Sequence, residues 1–398
     1  MPLPNHRTNR PTIGAVALAA AVALAALAAL LVMLGQAAPP AGATHSCSGV
    51  QIRPGDDLDA IVNRDPADRA TTFCVHAPSS GATYWINNTV LLRAGDKLLG
   101  EPGQVVTRGP ASYGVPPVKV RTAASLKVLL RPYGPNVQVR WLDIAGGVLK
   151  FRSNGTPTAD SGHGIDAGPG TATTRLEYLA IHDNQAAGIN SMNGKVLHSN
   201  LYNNGTNPKA QGFQASGVKG VDEFEAAYNY VHDNPGNGIW CDSGCDNVAG
   251  MSNGFWAHHN LVVNNKRFGI RYENSPQFTD GGGQNDRVYT AVTALVEHNA
   301  VHANGALDRR HGISMHDAQN GTFRNNRFGA ATIAGVPYQR NHGAAIGFTW
   351  ESGRADRTDL WNGKAYANAL NGEYIKGCGM RDNDSRPGGV LVSCSKNY

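Results

Sequence analysis

The sequence is poor in aromatic and charged residues and lacks a long helical repeat beyond its first 40 residues. Aromatic side chains make up 7% of the 398 residues and charged side chains 16%, whereas glycine occurs 48 times. A helical bundle requires long stretches with apolar residues at helical spacing, and none follows residue 40. The composition therefore argues against an α-helical protein and favours a chain of tight turns and small packing units.

A large excess of positive charge is also missing. The chain has 35 Lys and Arg against 30 Asp and Glu, and residues 1–43 contain two of the Arg and no acid. The remainder therefore has 33 basic and 30 acidic side chains, a net charge of +3. This is too little to indicate a nucleic-acid partner, although it is compatible with an acidic polymer.

One long uncharged apolar run is present, and it lies near the N-terminus over residues 13–35. Arg7 and Arg10 precede it and the small residues 41–43 follow it, which is the layout of an export signal. Its 23 residues are also enough to span a bilayer. We predict that residues 1–43 are a signal peptide or an uncleaved membrane anchor. The rest would then be secreted, or held at the cytoplasmic membrane by that run alone.

Six cysteines follow this segment, an even number that suits an exported chain with disulfides. Fifteen pairings are open to six cysteines, and buried free thiols are the alternative. Pairing each cysteine with its sequence neighbour predicts the bridges Cys47–Cys74, Cys241–Cys245 and Cys378–Cys394.

A short motif recurs along the chain. Each copy has an apolar run ending in Asn, an insertion of variable length, and then Gly followed by an apolar residue. The Asn residues are Asn184, Asn204, Asn234, Asn265 and Asn304, at intervals of 20, 30, 31 and 39. The Gly-apolar pairs lie at 188–189, 212–213, 238–239, 269–270 and 312–313, with further copies at 164–165 and 345–346.

Strands this short cannot bury a face alone, but stacked coils pair them above and below and close a common core. Parallel strands joined by such crossovers wind right-handed. The repeat therefore predicts an all-β protein, a right-handed parallel β-helix with a short N-terminal helical cap. We expect one domain over residues 44–398, with the N-terminal cap and first coils in 44–110, the central coils in 111–355 and a C-terminal cap in 356–398. Leu58, Ile61 and Val62 have the helical spacing expected of that first cap.

The recurring Asn column has a structural interpretation. Each coil needs a turn residue that tolerates the left-handed region, and amides stacked one rung apart can hydrogen-bond along the axis. His182, His232 and His302 share a neighbouring column. For them we favour exposure at the turn, with a metal site as the alternative.

The stretch "PGDDLDAIVNRDPADRATTFCVHAPSSGATYWINNTVLLRAGDKLLGEPGQVV" and the later "HDNPGNGIWCD" and "NNKRFGIRYE" resemble secreted bacterial right-handed β-helix repeat proteins. The resemblance covers roughly residues 50–350 and implies the pectate-lyase-like group. That group includes polysaccharide lyases, glycoside hydrolases and epimerases, together with non-catalytic surface and phage-type proteins. The pectate-lyase calcium motif and the usual paired aspartates of polygalacturonases are both missing. The cofactor therefore stays undetermined, with calcium compatible.

Strand alternation after each Gly-Ile pair predicts which side chains face outward. The stacked outward positions form one strip over neighbouring coils. On it the catalytic candidates are Asp242, Arg271, Glu273 and His316, and the substrate-binding candidates are Asp166, Asn190, Gln214 and Trp240. No metal ligands are predicted.

Each side chain of the strip has a chemical task in an enzyme that cleaves polysaccharide. Asp242 and Glu273 on adjacent rungs would lie about 5 Å apart, near the separation of a retaining glycoside hydrolase. A lyase would instead use Arg271 or a cation on the uronate and a base such as His316. Trp240 offers an apolar face for a sugar ring.

The same strip has a second interpretation without catalysis. Outward strand positions are normally polar, and opposite charges on neighbouring rungs stabilise a sheet modestly. We therefore hold two hypotheses, an exported enzyme that binds and cleaves polysaccharide and a non-catalytic module that binds a cell-surface glycan or is only structural.

Overall fold

The structure, a computed structural model, describes residues 47–66, 69–78, 80–102, 116–168, 173–210, 214–242, 245, 254–273, 294–316, 318, 321–349, 363–377 and 393–395. Within these ranges the regular elements are strands, apart from one α-helix and one 3-10 turn. The strands pair in parallel, coil upon coil, and each coil contributes to three faces. Crossovers between parallel strands wind right-handed, so the predicted right-handed parallel β-helix is confirmed.

Face 1 holds the predicted strip. Its strands are β4 (Val90–Arg93), β7 (Val128–Tyr133), β10 (His163–Asp166), β13 (Ile189–Leu197), β15 (Ser216–Ala227), β17 (Asn237–Cys241), β20 (Ile270–Glu273), β23 (Ile313–His316), β27 (Ile346–Thr349) and β29 (Ile375–Lys376). The first halves of β13 and β15 belong to this face, and their second halves continue into the next.

Face 2 follows along the chain. Its strands are β1 (Val50–Ile52), β2 (Thr72–Val75), β5 (Lys97–Leu99), β8 (Gln138–Arg140), β11 (Thr174–Glu177), β18 (Phe255–His258), β21 (Ala294–Glu297), β24 (Gly321–Arg324), β28 (Lys364–Tyr366) and β30 (Ser393–Ser395), with the second halves of β13 and β15 between β11 and β18. Parallel pairing thus continues into the segment predicted as the C-terminal cap.

Face 3 is made of the shortest strands. They are β3 (Ala82–Ile86), β6 (Val118–Thr122), β9 (Asp143–Ala145), β12 (Ala180–His182), β14 (Asn200–Tyr202), β16 (Tyr230–His232), β19 (Leu261–Val263) and β22 (Ala300–His302). An antiparallel hairpin of β25 (Ala331–Ile333) and β26 (Val336–Tyr338) packs on the outside of this face against Tyr230 and Leu261. Near the N-terminal end, α1 (Leu58–Asn63) buries Leu58 and Val62 in the core, and Asp57 caps it by accepting from the Ala60 N–H.

The Gly-apolar motif marks one stack of core residues. Ile165 and Ile189 are in register, Val218 takes the next rung, and Ile239, Ile270, Ile313 and Ile346 continue the stack. The copy predicted at 212–213 is wrong, because Val218 occupies that rung between Ile189 and Ile239. Residues 212–213 themselves lie outside the described residues.

The predicted Asn ladder is confirmed. Side-chain amides of Asn184, Asn204, Asn234, Asn265, Asn304 and Asn341 donate each to the next at 2.8–3.2 Å, and all are buried. The left-handed residue, however, is the one before the ladder Asn on the five coils from Asn184 to Asn304, for example Asp183 at φ 54° and Asn264 at φ 56°. A ladder Asn is therefore selected by its buried hydrogen bonds, and its neighbour makes the turn.

A second Asn ladder, which was not predicted, runs along the turn between faces 2 and 3. It links Asn229, Asn260, Asn299, Asn326 and Asn368 through hydrogen bonds of 2.9–3.1 Å between their side-chain amides. The left-handed residues of this turn stack their rings. Neighbouring ring centroids of Tyr178, His198, Tyr228, His259 and His298 lie 5.0–5.1 Å apart. Both turns of the coil are thus fixed by the same device.

The histidine column on face 3 differs from the prediction. His182 and His232 are half-buried and sandwich the ring of Tyr202 at 4.6 and 5.1 Å. His302 is fully buried, and its Nδ1 lies 2.6 Å from the Gly329 carbonyl oxygen. Exposure at the turn is therefore wrong for His302, because the coil below covers it.

Two of the three predicted disulfides are present, Cys47–Cys74 and Cys241–Cys245. The third involves Cys378, which lies outside the described residues, as does the apolar segment 13–35. Among the helices that the structure does describe, none is long and apolar enough to cross a membrane.

Candidate functional site

The outward positions of face 1 form two neighbouring columns beyond the Ile stack. In the first column, Lys219, Trp240, Arg271 and Ser314 are in register. In the second column, Glu273 is in register with His316. Asp242 directly follows β17, one coil before Glu273. We call Lys219, Trp240, Asp242, Arg271, Glu273 and His316 the strip. Five of its six members were predicted, because alternation after Gly-Ile holds on these coils.

The carboxylate of Asp242 pairs with the Lys219 ammonium at 2.7 Å. The same ammonium lies 4.5 Å from the centroid of the Trp240 ring, within cation–π range. Lys219 and Asp242 come from consecutive coils, so the ion pair ties two rungs together above the indole. Lys219 was not predicted, because the Gly-apolar motif of its coil was placed at residues 212–213 and lies at 217–218 instead.

Glu273 accepts two hydrogen bonds, one on each oxygen. The Trp240 indole N–H donates to Oε2 at 2.9 Å, and the Arg271 guanidinium donates to Oε1 at 2.6 Å. Arg271 is largely buried, and burial is the main cause that lowers its pKa, while Glu273 and Asp242 act in the opposite direction. Charge-assisted bonds of this kind fix a carboxylate in one orientation.

His316 is the last residue of the strip and lies one coil after Glu273. Its Nδ1 lies 2.8 Å from the Thr349 hydroxyl on the following coil. Ser314 is on the same strand, with its hydroxyl 3.5 Å from that of Thr349. A hydroxyl partner can donate or accept, so His316 is placed to hold a proton or release one.

The outward side chains of the strip are largely covered. Trp240, Glu273 and His316 face outward from the sheet, yet they are only 3%, 7% and 8% exposed. The Lys219 ammonium and the Arg271 guanidinium lie 4.5 and 5.5 Å from the centroid of the Trp240 ring, so this ring is not open to a sugar as predicted. Charge interactions among groups removed from water are stronger than in bulk solvent.

Asp166 and Asn190 form a separate polar group earlier on face 1. Asn190 donates to one Asp166 oxygen at 3.0 Å, and the Arg131 guanidinium pairs with the other at 2.8 Å. Both lie in the first column: Asp166 is two coils before Lys219, and Asn190 is one coil before it. Arg131 is a partner that sequence reasoning missed.

Gln214 does not belong to this column, so its predicted position is wrong. It is buried, and its amide donates to the Thr158 carbonyl oxygen at 2.8 Å. The variable insertion before Gly217 displaced the alignment of this coil, and Lys219 takes the predicted place.

A third outward column was missed, at the residue before each glycine. A Cβ added at Gly217 or Gly238 would collide with the ladder Asn or with core side chains, so these glycines face inward and the preceding residue faces out. The column includes His163, Ser216, Asn237, Phe268 and His311. Simple alternation fails here because glycine and the following Ile both face the core.

No group of three or more His, Cys, Asp or Glu side chains that could hold a metal ion is found in the part of the chain that the structure describes. The strip instead offers two carboxylates, two cations and one histidine. Such a set can bind polar groups of a sugar and move protons there.

Comparisons with known proteins find a likeness in structure only. No protein-family model matches the chain, and no curated protein sequence is significantly similar to it. Similar solved structures include the A-module of the mannuronan C-5 epimerase AlgE4 of Azotobacter vinelandii, with TM-score 0.49, 11% identity and coverage of 88% of this chain and 93% of that one. An alginate lyase of Paenibacillus sp. has TM-score 0.38 and 14% identity, with coverage of 87% and 99%. The catalytic domain of a GH87 α-1,3-glucanase has TM-score 0.45 and 12% identity, with coverage of 90% and 65%.

The names of these three neighbours refer to proteins that act on polysaccharides. The identities are low and the TM-scores lie below 0.5. The fold assignment therefore depends on the strand pairing above, and the site has to be argued from its own residues.

Proposed function

We propose that this chain is an exported protein that binds a polysaccharide along the strip and cleaves it there, as a lyase or a glycoside hydrolase. The observation that carries the proposal is the burial of reactive groups on an outer face: Glu273 and His316 face outward on consecutive coils beside Arg271, yet they are almost fully buried. Two disulfides support export, since such bonds persist in oxidising compartments.

The residues of the strip divide the work. The Trp240 indole N–H holds Glu273 in place, and the ring of Trp240 lies against the Lys219 ammonium. His316 takes or gives the proton at the reacting sugar, and its hydroxyl partner Thr349 orients the imidazole. Asp242 and Glu273 provide negative charge at the reacting carbon in hydrolysis. In elimination, Lys219 and Arg271 would provide the positive charge instead.

One observation favours the alternative, a non-catalytic glycan-binding or structural module. Both carboxylates of the strip are engaged by cations, Asp242 by Lys219 and Glu273 by Arg271. The same pattern on face 2, where Glu225 pairs with Lys195 and His258, is an ordinary network on a sheet surface. If the strip only stabilises the stack, it should tolerate the same substitutions as face 2.

The test is a panel of neutral and acidic polysaccharides incubated with the purified protein. An unsaturated product that absorbs in the ultraviolet identifies a lyase, and new reducing ends without that absorbance identify a hydrolase. Binding without turnover on every polymer would support the non-catalytic alternative. If the protein neither binds nor cleaves any of the polymers, the proposal is contradicted.

A further inference from the structure

Two guanidinium groups contact one aromatic ring beside the strip, and a third arginine is nearby. The Arg271 and Arg310 guanidinium carbons lie 5.0 and 5.5 Å from the centroid of Phe268. Arg267 is close enough to Arg271 and Arg310 for their charges to affect one another. Phe268 belongs to the column before the glycines, so the cluster lies beside the strip. Arg271 belongs to both the cluster and the strip, because its guanidinium also contacts Glu273.

The local charge is positive. Three carboxylates act on the arginines: Glu273, which Arg271 and Trp240 engage, Asp242, which pairs with Lys219, and Asp308, which is well exposed and 3.9 Å from Arg310. Among the described residues the cations still outnumber them, because Lys219 and Lys376 add to the three arginines. Burial is the main cause that lowers the pKa of Arg267 and of Arg271, and the charge of Arg310 lowers both further. A third group responds in the same way: burial, Lys376 and Arg310 lower the pKa of His311 to about 4.

His311 and Arg271 each contribute a donor to this cluster. His311 packs on the outer side of Gly347, and its Nδ1 accepts the Ala344 backbone N–H at 3.1 Å. The neutral ring therefore carries its proton on Nε2, where it is a donor. Arg271 Nε is buried and has no hydrogen-bond partner among the described residues. A buried donor of this kind costs free energy until an acceptor reaches it.

We propose that Arg267, Arg271 and Arg310, with Phe268 and His311, bind an anionic group carried by a sugar of the polysaccharide, either a carboxylate or a sulfate. The inference rests on the proposed function and adds the substrate class to it: an acidic polymer. Guanidinium forks match the paired oxygens of such groups, and the Phe268 ring holds two of them in place. Since Arg271 also contacts Glu273, the acidic sugar lies at the strip or one subsite from it.

The experiment compares polymers that differ only in charge. Calorimetry or fluorescence titration follows binding of polygalacturonate and of its methyl ester, and of chondroitin sulfate and its desulfated form. Arg310→Gln is the test variant, because Arg310 is part-exposed and outside the strip. Arg309→Gln, at the exposed neighbouring position, is the matched control. Loss of one charge-assisted contact should weaken binding of the acidic form about tenfold or more.

The expected pattern is tighter binding of the acidic member of one pair, loss of that preference in Arg310→Gln, and no change in Arg309→Gln. The pair that shows the preference distinguishes carboxylate from sulfate. Raising the salt concentration should weaken the acidic form selectively. Equal binding of charged and uncharged polymers, or equal effects of the two Arg variants, would overturn this inference and leave the proposed function intact. A protein that binds no polysaccharide at all would fail both.

Discussion

The indole N–H of Trp240 donates to the carboxylate of Glu273 on the next coil, at 2.9 Å. Both groups are almost fully buried on the outer side of a sheet. The bond fixes Glu273 against the coil before it, and Trp256 and Glu297 make a similar bond on face 2.

Replacing Trp240 by Phe should test that bond. Phe keeps an aromatic face but removes the donor, so Glu273 would rely on Arg271 alone. We expect kcat to fall at least about tenfold with little change in KM, because the contact positions a reacting group. Steady-state kinetics measure this, and Trp256→Phe is the control, since Trp256 donates to Glu297 on face 2. Equal losses in both variants would contradict the role of the bond.

The Asn ladders should dominate the stability of the coils. The Asn234 amide donates to Leu201 and Asn265, and its oxygen accepts from Asn204. Asn234→Ala leaves these buried groups without partners, at a cost of about 2–4 kcal/mol in the free energy of unfolding. Urea denaturation measures the loss. The exposed Asn154→Ala should lie within about 0.5 kcal/mol of the parent protein.

Stability should depend on pH through His182. Burial opposes its charge, but hydrogen bonds to Asp143 and Asp183 outweigh burial and raise its pKa. A raised pKa means that His182 stabilises the fold below about pH 6.5, its value in the unfolded chain, and that this contribution disappears as pH rises through the folded value.

The difference in Tm between the parent protein and His182→Gln should therefore be larger at pH 5.5 than at pH 8.5. Thermal unfolding followed by circular dichroism gives both values. The exposed His342→Gln should show no such trend. A difference that grows toward high pH would show that the sign assigned to His182 is wrong.

Gly347 should be required for the placement of His311. A Cβ added at Gly347 would lie 2.0 Å from Cδ2 of the imidazole, so Ala at this position must displace the ring. We expect Gly347→Ala to destabilise the protein by about 1–3 kcal/mol and to weaken binding of acidic polymers. The double variant with His311→Ala should recover most of the stability but not the binding. If stability is not recovered, His311 is not the group that Gly347 accommodates.

The sequence predicted the coil well because two of its features repeat for physical reasons. Each coil needs a buried Asn at the turn and a glycine where the backbone passes the ladder, and both residue types are hard to replace. The second ladder repeats as regularly, at Asn229, Asn260 and Asn299, and could have been found from the aromatic or His residue before each Asn.

Prediction failed where the repeat is locally ambiguous. Two Gly-apolar pairs, 212–213 and 217–218, compete within one long insertion, and choosing the first misplaced Gln214 and hid Lys219. The residues before the glycines were missed because glycine and Ile both face the core, which breaks the alternation. The ion pair of Asp242 with Lys219 and the hydrogen bond of Glu273 with Trp240 depend on side-chain reach across coils, and a register alone does not determine that.

The central claim is that the strip acts on polysaccharide. Its most direct test is the initial rate of Glu273→Gln on whichever polymer the parent protein cleaves, measured beside Glu225→Gln. Glu225 is an equally buried, ion-paired carboxylate, but it lies on face 2. We predict that the first variant loses at least about a hundredfold in kcat with its fold intact, and that the second stays within about twofold. Equal rates in the two variants would contradict the claim.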